Sequence, residues 1–308
     1  MSKLNACGGP PLKGFREYLE KERFSKSSIK TYTFQAEKFI EWTESSGHGF
    51  IDFDYKKAVN YVAYLQKRHA NIRTINGKIA ATRQYFNFLV EKCEASENPF
   101  AEILVKGDKA KKMLQNILSA DELEDLYYSY ETENRTDKRT SSILAGKRNK
   151  VMLGLMVYQG LSTTDMKRLR PEHVEPQKGK VYIPSGKIGG RRELALMPWQ
   201  VMELVEYLND TWPQLARRKN TDGELFPVTN GRLTDTVAHI IKKLRKVNRK
   251  VRNGHQIRAS VIVNWLEKHS LRKVQVMAGH RRISTTERYV QEDLKQLQQI
   301  INTFHPLR

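Results

Sequence analysis

Residues 279–289 read Gly279-His280-Arg281-Arg282-Ile283-Ser284-Thr285-Thr286-Glu287-Arg288-Tyr289, and His255-Gln256-Ile257-Arg258 precedes them. Two imidazoles, a guanidinium and a phenol hydroxyl therefore fall between positions 255 and 289, in a chain of formal net charge +20. A phenol with its ordinary pKa of about 10 is a poor nucleophile near neutral pH. It becomes a useful one when a base takes its proton and cations stabilise the pentacoordinate phosphorus it forms. His255, Arg258 and His280 are the side-chain types such a site requires, and Tyr289 is the candidate nucleophile.

The order and spacing (His-x-x-Arg, then Gly-His, then Tyr nine positions past that second His) resemble the tyrosine recombinase, or phage integrase, family in its two-domain, Xer-like form. The resemblance implies a site-specific DNA recombinase in which Tyr289 attacks the scissile phosphate and forms a 3′-phosphotyrosyl link. It also implies that Arg258 is half of an arginine clamp on that phosphate, that His280 donates to a nonbridging oxygen, and that His255 handles the tyrosine proton. The family often has His directly after this arginine; Ala259 stands there here. Lys187, in Pro184-Ser185-Gly186-Lys187-Ile188-Gly189-Gly190, resembles the family's hairpin lysine, the general acid for the departing 5′-oxygen. A phosphotyrosine preserves the bond energy, so the resemblance implies no cofactor and no metal. No Asp/Glu/His cluster at metal-ligand spacing stands out. Exchange between two duplexes implies a homotetramer on double-stranded DNA, assembled from weakly associating free monomers.

One position departs from the family. Gly160-Leu161-Ser162-Thr163-Thr164-Asp165 stands where the family reads Gly-Leu-Arg, and that arginine is the other half of the clamp. Losing a preorganised donor to a transition-state oxyanion costs ~10²–10³ in rate. Arg168 and Arg170 are the nearest possible substitutes, although six residues of helix advance by about 9 Å. Arg148, Arg191 and Arg192 are further candidates. Two readings stay open at this point: a relocated arginine completes the clamp, or the site is weakened. The second leads to an alternative function, a sequence-specific DNA-binding protein that keeps the fold and cleaves poorly. A type IB topoisomerase would share the chemistry, but the two-domain size and the Gly-His frame favour the recombinase.

Working outward, the chain reads as mainly α. An N-terminal helical bundle over residues 1–105 corresponds to the family's SAM-like core-binding domain. A basic linker over 106–117 follows, and then a mixed α/β catalytic domain over 118–308 with a small antiparallel sheet and a C-terminal helix. Ser25 and Ser28 offer caps, after which Ile29, Tyr32, Ala36, Phe39 and Ile40 recur at helical spacing. Further helices are expected over 55–68 and 74–94, closed by Asn98-Pro99. Arg73, Lys78 and Arg83 fall at this last helix and are candidate DNA contacts. The linker run Lys106-Gly107-Asp108-Lys109-Ala110-Lys111-Lys112 is charged, hence solvated and extended, and suits a path along a phosphate backbone. Ser119-Ala120-Asp121-Glu122 reads as a capping box, and the apolar run Val151 to Val157 as a buried helix. A short helix is expected over 163–170, then a hairpin of strands 179–184 and 192–196 around the turn 185–190. Lys242, Lys243, Arg245 and Lys246 lie on a basic helix just before His255 and are candidate phosphate contacts. Past Tyr289, Val290, Leu294, Leu297, Ile301 and Phe304 form an apolar stripe, either core-facing or passed to a neighbouring protomer.

Composition narrows the partner. Fifty-four Lys and Arg against 34 Asp and Glu point to a polyanion. With 308 residues and 39% hydrophobic content, two packed cores are within reach. Two cysteines, Cys7 and Cys93, suit a reducing compartment. No apolar run approaches the ~20 residues of a spanning helix, and residues 1–11 hold no signal-peptide core. The expectation is a prokaryotic cytoplasmic protein, associated with the nucleoid and not with a membrane.

Overall fold

The computed structural model describes residues 12–47, 53–69, 71–107, 116–132, 139–186, 189–219, 223–228 and 231–290. The chain forms two compact units, Met1–Ala110 and Lys111–Arg308. Their boundary falls in the stretch expected as a linker, of which residues 108–115 lie outside the described residues.

The first unit holds α1 (Leu12–Lys21), α2 (Lys26–Ser45), α3 (Tyr55–Arg68) and α4 (Ile72–Glu91). The last three each open on a side-chain cap: Ser25 accepts from the Ser28 amide, Asp54 from Lys57 and Asn71 from Arg73. These bonds satisfy amides that a helix start leaves unpaired. The core is aromatic, with Phe15, Phe39, Tyr85, Phe86 and Phe100 fully buried. Phe39 meets Tyr61 and Phe100 edge-on, at 4.9 and 5.8 Å between ring centres, the arrangement ring quadrupoles favour. α4 ends three residues before the sequence pattern placed its end, because Cys93 turns left-handed at φ +58° and the amide of Glu94 reaches back to the Leu89 carbonyl.

In the second unit α5 (Ala120–Tyr128) starts on the expected capping box between Ser119 and Glu122. α6 (Thr140–Val157) is buried almost continuously from Leu144 onward. After it come α7 (Thr163–Met166) and the strands β1 (Val174–Glu175), β2 (Lys180–Ile183) and β3 (Arg192–Ala195). α8 (Pro198–Glu206) passes through a π turn, Tyr207–Thr211, into α9 (Trp212–Lys219). α10 (Leu233–Val247), α11 (Gly254–Lys268), α12 (Leu271–Ala278) and a last helix, α13, over residues 283–290 complete it. α6 is the hub, packing on α5, α10 and α11. α7 is shorter than expected: the amides of Arg168 and Leu169 bond three residues back, Leu169 is buried, and Pro171 comes next but one.

The three strands are antiparallel in the order β1-β2-β3, with Val181 opposite Leu194 and Ile183 opposite Arg192. The two longer strands match the expected hairpin; β1, at two residues, is too short to leave a periodic signal. Alternation puts Val181, Ile183, Leu194 and also Arg192 on the buried face. The neighbouring Arg191 is exposed. The stripe expected from Leu294 to Phe304 lies outside the described residues. Among the described residues no helix is long and apolar enough to cross a membrane.

Candidate active site

Three segments converge at the buried end of β3. The first is the turn after α6. Gly160 there adopts φ +59° and Ser162 caps α7. Ser162 accepts from the Asp165 amide, while its own amide and hydroxyl donate to Asp165 Oδ2 at 3.1 and 2.7 Å. Position 162 thus lies directly against the Asp165 carboxylate. Asp165 is 5% exposed and takes two guanidinium groups, Arg168 on Oδ1 at 2.9 Å and Arg192 on Oδ2 at 3.2 Å. Arg258 stands 3.7 Å from Oδ2. Burial by itself would raise this carboxyl; Arg192, the Ser162 bonds and Arg258 outweigh it and hold the group below the ordinary carboxylate value.

The second segment is α11, whose N-cap Asn253 accepts from the Gln256 amide. It carries His255 and Arg258 one turn apart. Arg258 is half-buried, and its fork donates to the carbonyls of Gly160 and Ala278, each at 2.5 Å. Those two bonds tie the α6 turn to the end of α12 and fix where the remaining donors point. His255 is exposed on the first turn.

The third segment runs from α12 into α13. α12 stops because Gly279 goes left-handed at φ +70° and the His280 amide reaches back to the Gln275 carbonyl. Gly279 has a second reason to lack a side chain: a Cβ there would stand 2.5 Å from Arg192 Nη1. His280 comes next, half-buried, with Nδ1 2.9 Å from the hydroxyl of Thr286, a buried residue of α13. Burial, then the charges of Arg258, Arg192 and Arg288, press its imidazole down to about 4. The His280 ring lies parallel to that of Tyr289, 5.9 Å between centres and 10° between planes. Tyr289 is buried among Ala259, Ile262, Val263, Val274 and Ala278, and its hydroxyl is near enough to Arg258 to act on it electrostatically.

The hairpin is pinned to this segment. Gly189 bridges to His280, the Gly190 amide donates to the Gly279 carbonyl at 3.0 Å, and Arg281 donates to the Gly186 carbonyl at 2.9 Å. Lys187 itself lies outside the described residues.

Arg258, His280 and Tyr289 therefore meet, His255 shares a helix with Arg258, and two of the five spare arginines, Arg168 and Arg192, reach the same carboxylate. Arg148 does not: it is buried in α6 and spent on the Pro227 carbonyl and Asn149. Arg170 is exposed and lies away from Asp165, beside Gly223. Asp165 and Thr286 were not singled out from the sequence. The available signals were Ser-x-x-Asp, a capping-box spacing, and Thr-x-x-Tyr, which puts both residues on one helix face.

Of the basic residues expected to meet DNA, Arg73, Lys242 and Lys246 are exposed. Lys78 donates to Gln35 and Lys243 sits over the Tyr130 ring. Arg83 holds the carbonyls of Phe100 and Ile103, and Arg245 those of Val251 and Arg252, so both guanidinium groups are engaged within the fold. Among the described residues no group of three or more His, Cys, Asp or Glu is placed to hold a metal.

Comparison with known proteins covers parts of both units. The sequence model of the phage integrase family matches residues 116–296, and that of the phage integrase N-terminal SAM-like domain matches residues 12–92. Tyrosine recombinase XerA of Pyrococcus horikoshii is 29% identical over 297 residues, covering 94% of this chain and 92% of its own. Tyrosine recombinase XerC of Staphylococcus epidermidis is 25% identical over 299 residues, covering 95% and 96%. Among solved structures, the XerH site-specific recombinase bound to difH substrate in a pre-cleavage complex has a TM-score of 0.67 at 16% identity. That match covers 92% of this chain and 82% of that one. At such identity the likeness is one of fold.

Proposed function

The chain belongs to the phage integrase family, and from that premise we propose that it is a site-specific recombinase that cuts and rejoins double-stranded DNA through a phosphotyrosine at Tyr289. The observation that carries this reading is the meeting of Arg258, His280 and Tyr289, drawn from two helices and a loop, in one largely buried cluster. The Tyr289 oxygen attacks phosphorus and gives its proton to His255, and the bond to the 5′-oxygen breaks. That oxygen takes a proton from Lys187, leaving a 5′-hydroxyl and a 3′-phosphotyrosyl link. In the return step the 5′-hydroxyl of the partner duplex attacks phosphorus and gives its proton to Lys187, the tyrosyl bond breaks, and Tyr289 recovers its proton from His255.

Arg258 and His280 act on the nonbridging oxygens, where negative charge grows. Burial and the charges of Arg258, Arg192 and Arg288 press the His280 imidazole down to about 4, which favours its neutral form near neutral pH, where one ring N–H remains to donate. Two duplexes cut in register require four protomers, so the working form is a tetramer on DNA. The reading as a DNA-binding protein that cleaves poorly rests on Ser162 alone and finds no further support in the site.

The test is covalent capture. The protein is incubated with nicked duplexes carrying a randomised core, and protein–DNA adducts that survive denaturation are recovered and sequenced. The wild type should enrich one core sequence. Tyr289→Phe, which lacks only the hydroxyl, should bind that duplex normally and yield no adduct. An adduct that persists in Tyr289→Phe removes this residue from its role, and the absence of any adduct from the wild type returns the binder reading.

A further inference from the structure

The arginine that the family pattern would place at 162 is absent, but the acid it would have touched is present and occupied. The Ser162 hydroxyl is 2.7 Å from Asp165 Oδ2, so a side chain at 162 works from beside that carboxylate. The guanidinium on the same oxygen atom belongs to Arg192, delivered from across the unit by the inward face of β3. We propose that Arg192 supplies the second guanidinium of the scissile-phosphate site, replacing from β3 the arginine missing at position 162. The proposal rests on the recombinase reading above.

Four observations support it. Arg192 lies against the backbone that leads into His280: its Nη1 is 2.5 Å from where a Gly279 Cβ would be. Its charge acts on both Arg258 and His280, the two groups assigned to the phosphate. Its donors are not used up, since a guanidinium carries five N–H bonds. Nη2 donates to Asp165, Nη1 makes one long contact to the Gly190 carbonyl at 3.4 Å, and Nε, buried, meets no acceptor among the described residues. Lastly, the local charge does not close. Arg168, Arg192 and Arg258 surround one carboxylate, leaving two positive charges in a pocket where unpaired charge is costly. A phosphodiester brings one negative charge and the phosphorane formed from it carries two, so the surplus is matched best in the transition state.

The competing arginine is Arg168, which shares the carboxylate. It sits on the other oxygen, Oδ1, and packs against Gly186 of the hairpin turn. Its charge is not among those acting on Arg258 or His280. The side chain of Arg192 is 1% exposed, against 26% for Arg168, so Arg192 is the one held rigidly in place beforehand, as transition-state stabilisation by fixed dipoles and charges requires.

The experiment uses the duplex recovered by covalent capture, made in two forms, with a phosphodiester or an uncharged methylphosphonate at the scissile position. Cleavage by Arg192→Ala, Arg192→Lys and Arg168→Ala is compared with wild type, with melting temperature and DNA affinity recorded for each. Arg192→Ala should cleave the phosphodiester about 10²-fold more slowly or worse while binding it nearly as well. The deficit should vanish on the methylphosphonate, where there is no charge to neutralise. An equal loss on both substrates would show that Arg192 only supports the fold, and overturns the proposal. So would a charge-dependent loss in Arg168→Ala with none in Arg192→Ala. If the alanine variant does not fold, Arg192→Lys keeps the Asp165 ion pair and carries the same comparison, with a smaller loss that the methylphosphonate also restores. A wild type that forms no adduct would instead sink the recombinase reading, a result distinguishable from failure of Arg192 alone.

Discussion

His280 draws on three parts of the chain at once: a left-handed glycine before it, a threonine hydroxyl on Nδ1 and three arginine charges around it. Its depressed pKa has a definite consequence for stability. Between the ordinary value of 6.5 and about 4 the unfolded chain binds the proton and the folded one does not. The stability tied to this group is therefore full above about 6.5 and falls as pH drops toward about 4. An NMR titration should give His280 a midpoint near 4; a midpoint at the ordinary imidazole value would contradict the burial and charge that surround it.

In the proposed reaction the same ring presents an N–H to a phosphate oxygen, which requires Nε2 to be the protonated nitrogen and Thr286 to donate to Nδ1. Thr286→Val removes that donor, a hydrogen bond worth about 1–3 kcal/mol when left unmade in a buried setting. It should slow cleavage about tenfold or more and shift the tautomer, read from the nitrogen chemical shifts. Thr286→Ser should restore both. Equal activity in the valine and serine variants would show that the hydroxyl does not set the tautomer.

At the scale of elements, the site is assembled from helix ends. α7 begins just past Ser162, α11 begins just before Arg258, and α12 ends just before His280. Ends are where a helix leaves backbone groups free, and here Arg258 takes one such carbonyl, that of Ala278, together with the Gly160 carbonyl in the turn between α6 and α7. Gly279 closes the arrangement twice over, by its φ of +70° and by the room it leaves for Arg192. Gly279→Ala should therefore cost more than an ordinary surface exchange, about 1–3 kcal/mol, measured as a lower urea midpoint. It should also depress cleavage by pushing the Arg192 guanidinium aside. An alanine variant with wild-type midpoint and rate would show that neither constraint is real.

At the scale of the whole molecule, the +20 charge belongs with a polyanion. Log K for the captured duplex should fall linearly with log salt, with a slope of ~0.9 per neutralised phosphate, and a duplex gripped at many phosphates should make it steep. Arg73, Lys242 and Lys246 are exposed and carry none of the backbone duties of Arg83 and Arg245. Neutralising each one that meets a phosphate should flatten the slope by about one unit. A slope near zero in the wild type would disconnect the charge from DNA.

Much of this molecule is legible in its sequence. Helix positions in both units follow from apolar spacing, and the start of α5 from its capping box. The hairpin follows from two short strand-like runs around a Gly-rich turn. Tyr289, His280 and Arg258 stand out because their chemistry and spacing are local, all between positions 255 and 289. What the sequence could not decide is how the gap at Ser162 is filled. Arg148, Arg168, Arg170, Arg191 and Arg192 are alike as letters. The strand alternation that turns Arg192 inward and Arg191 outward separates two neighbours. The demand of Gln275 and Arg192 on the same left-handed glycine, and a carboxylate shared across 27 positions between Asp165 and Arg192, are properties of packing. Local spacing fixes which groups are available within a few turns of chain. Which distant charge settles on a buried carboxylate depends on how helices and sheet close around it, and that is decided only by the tertiary fold.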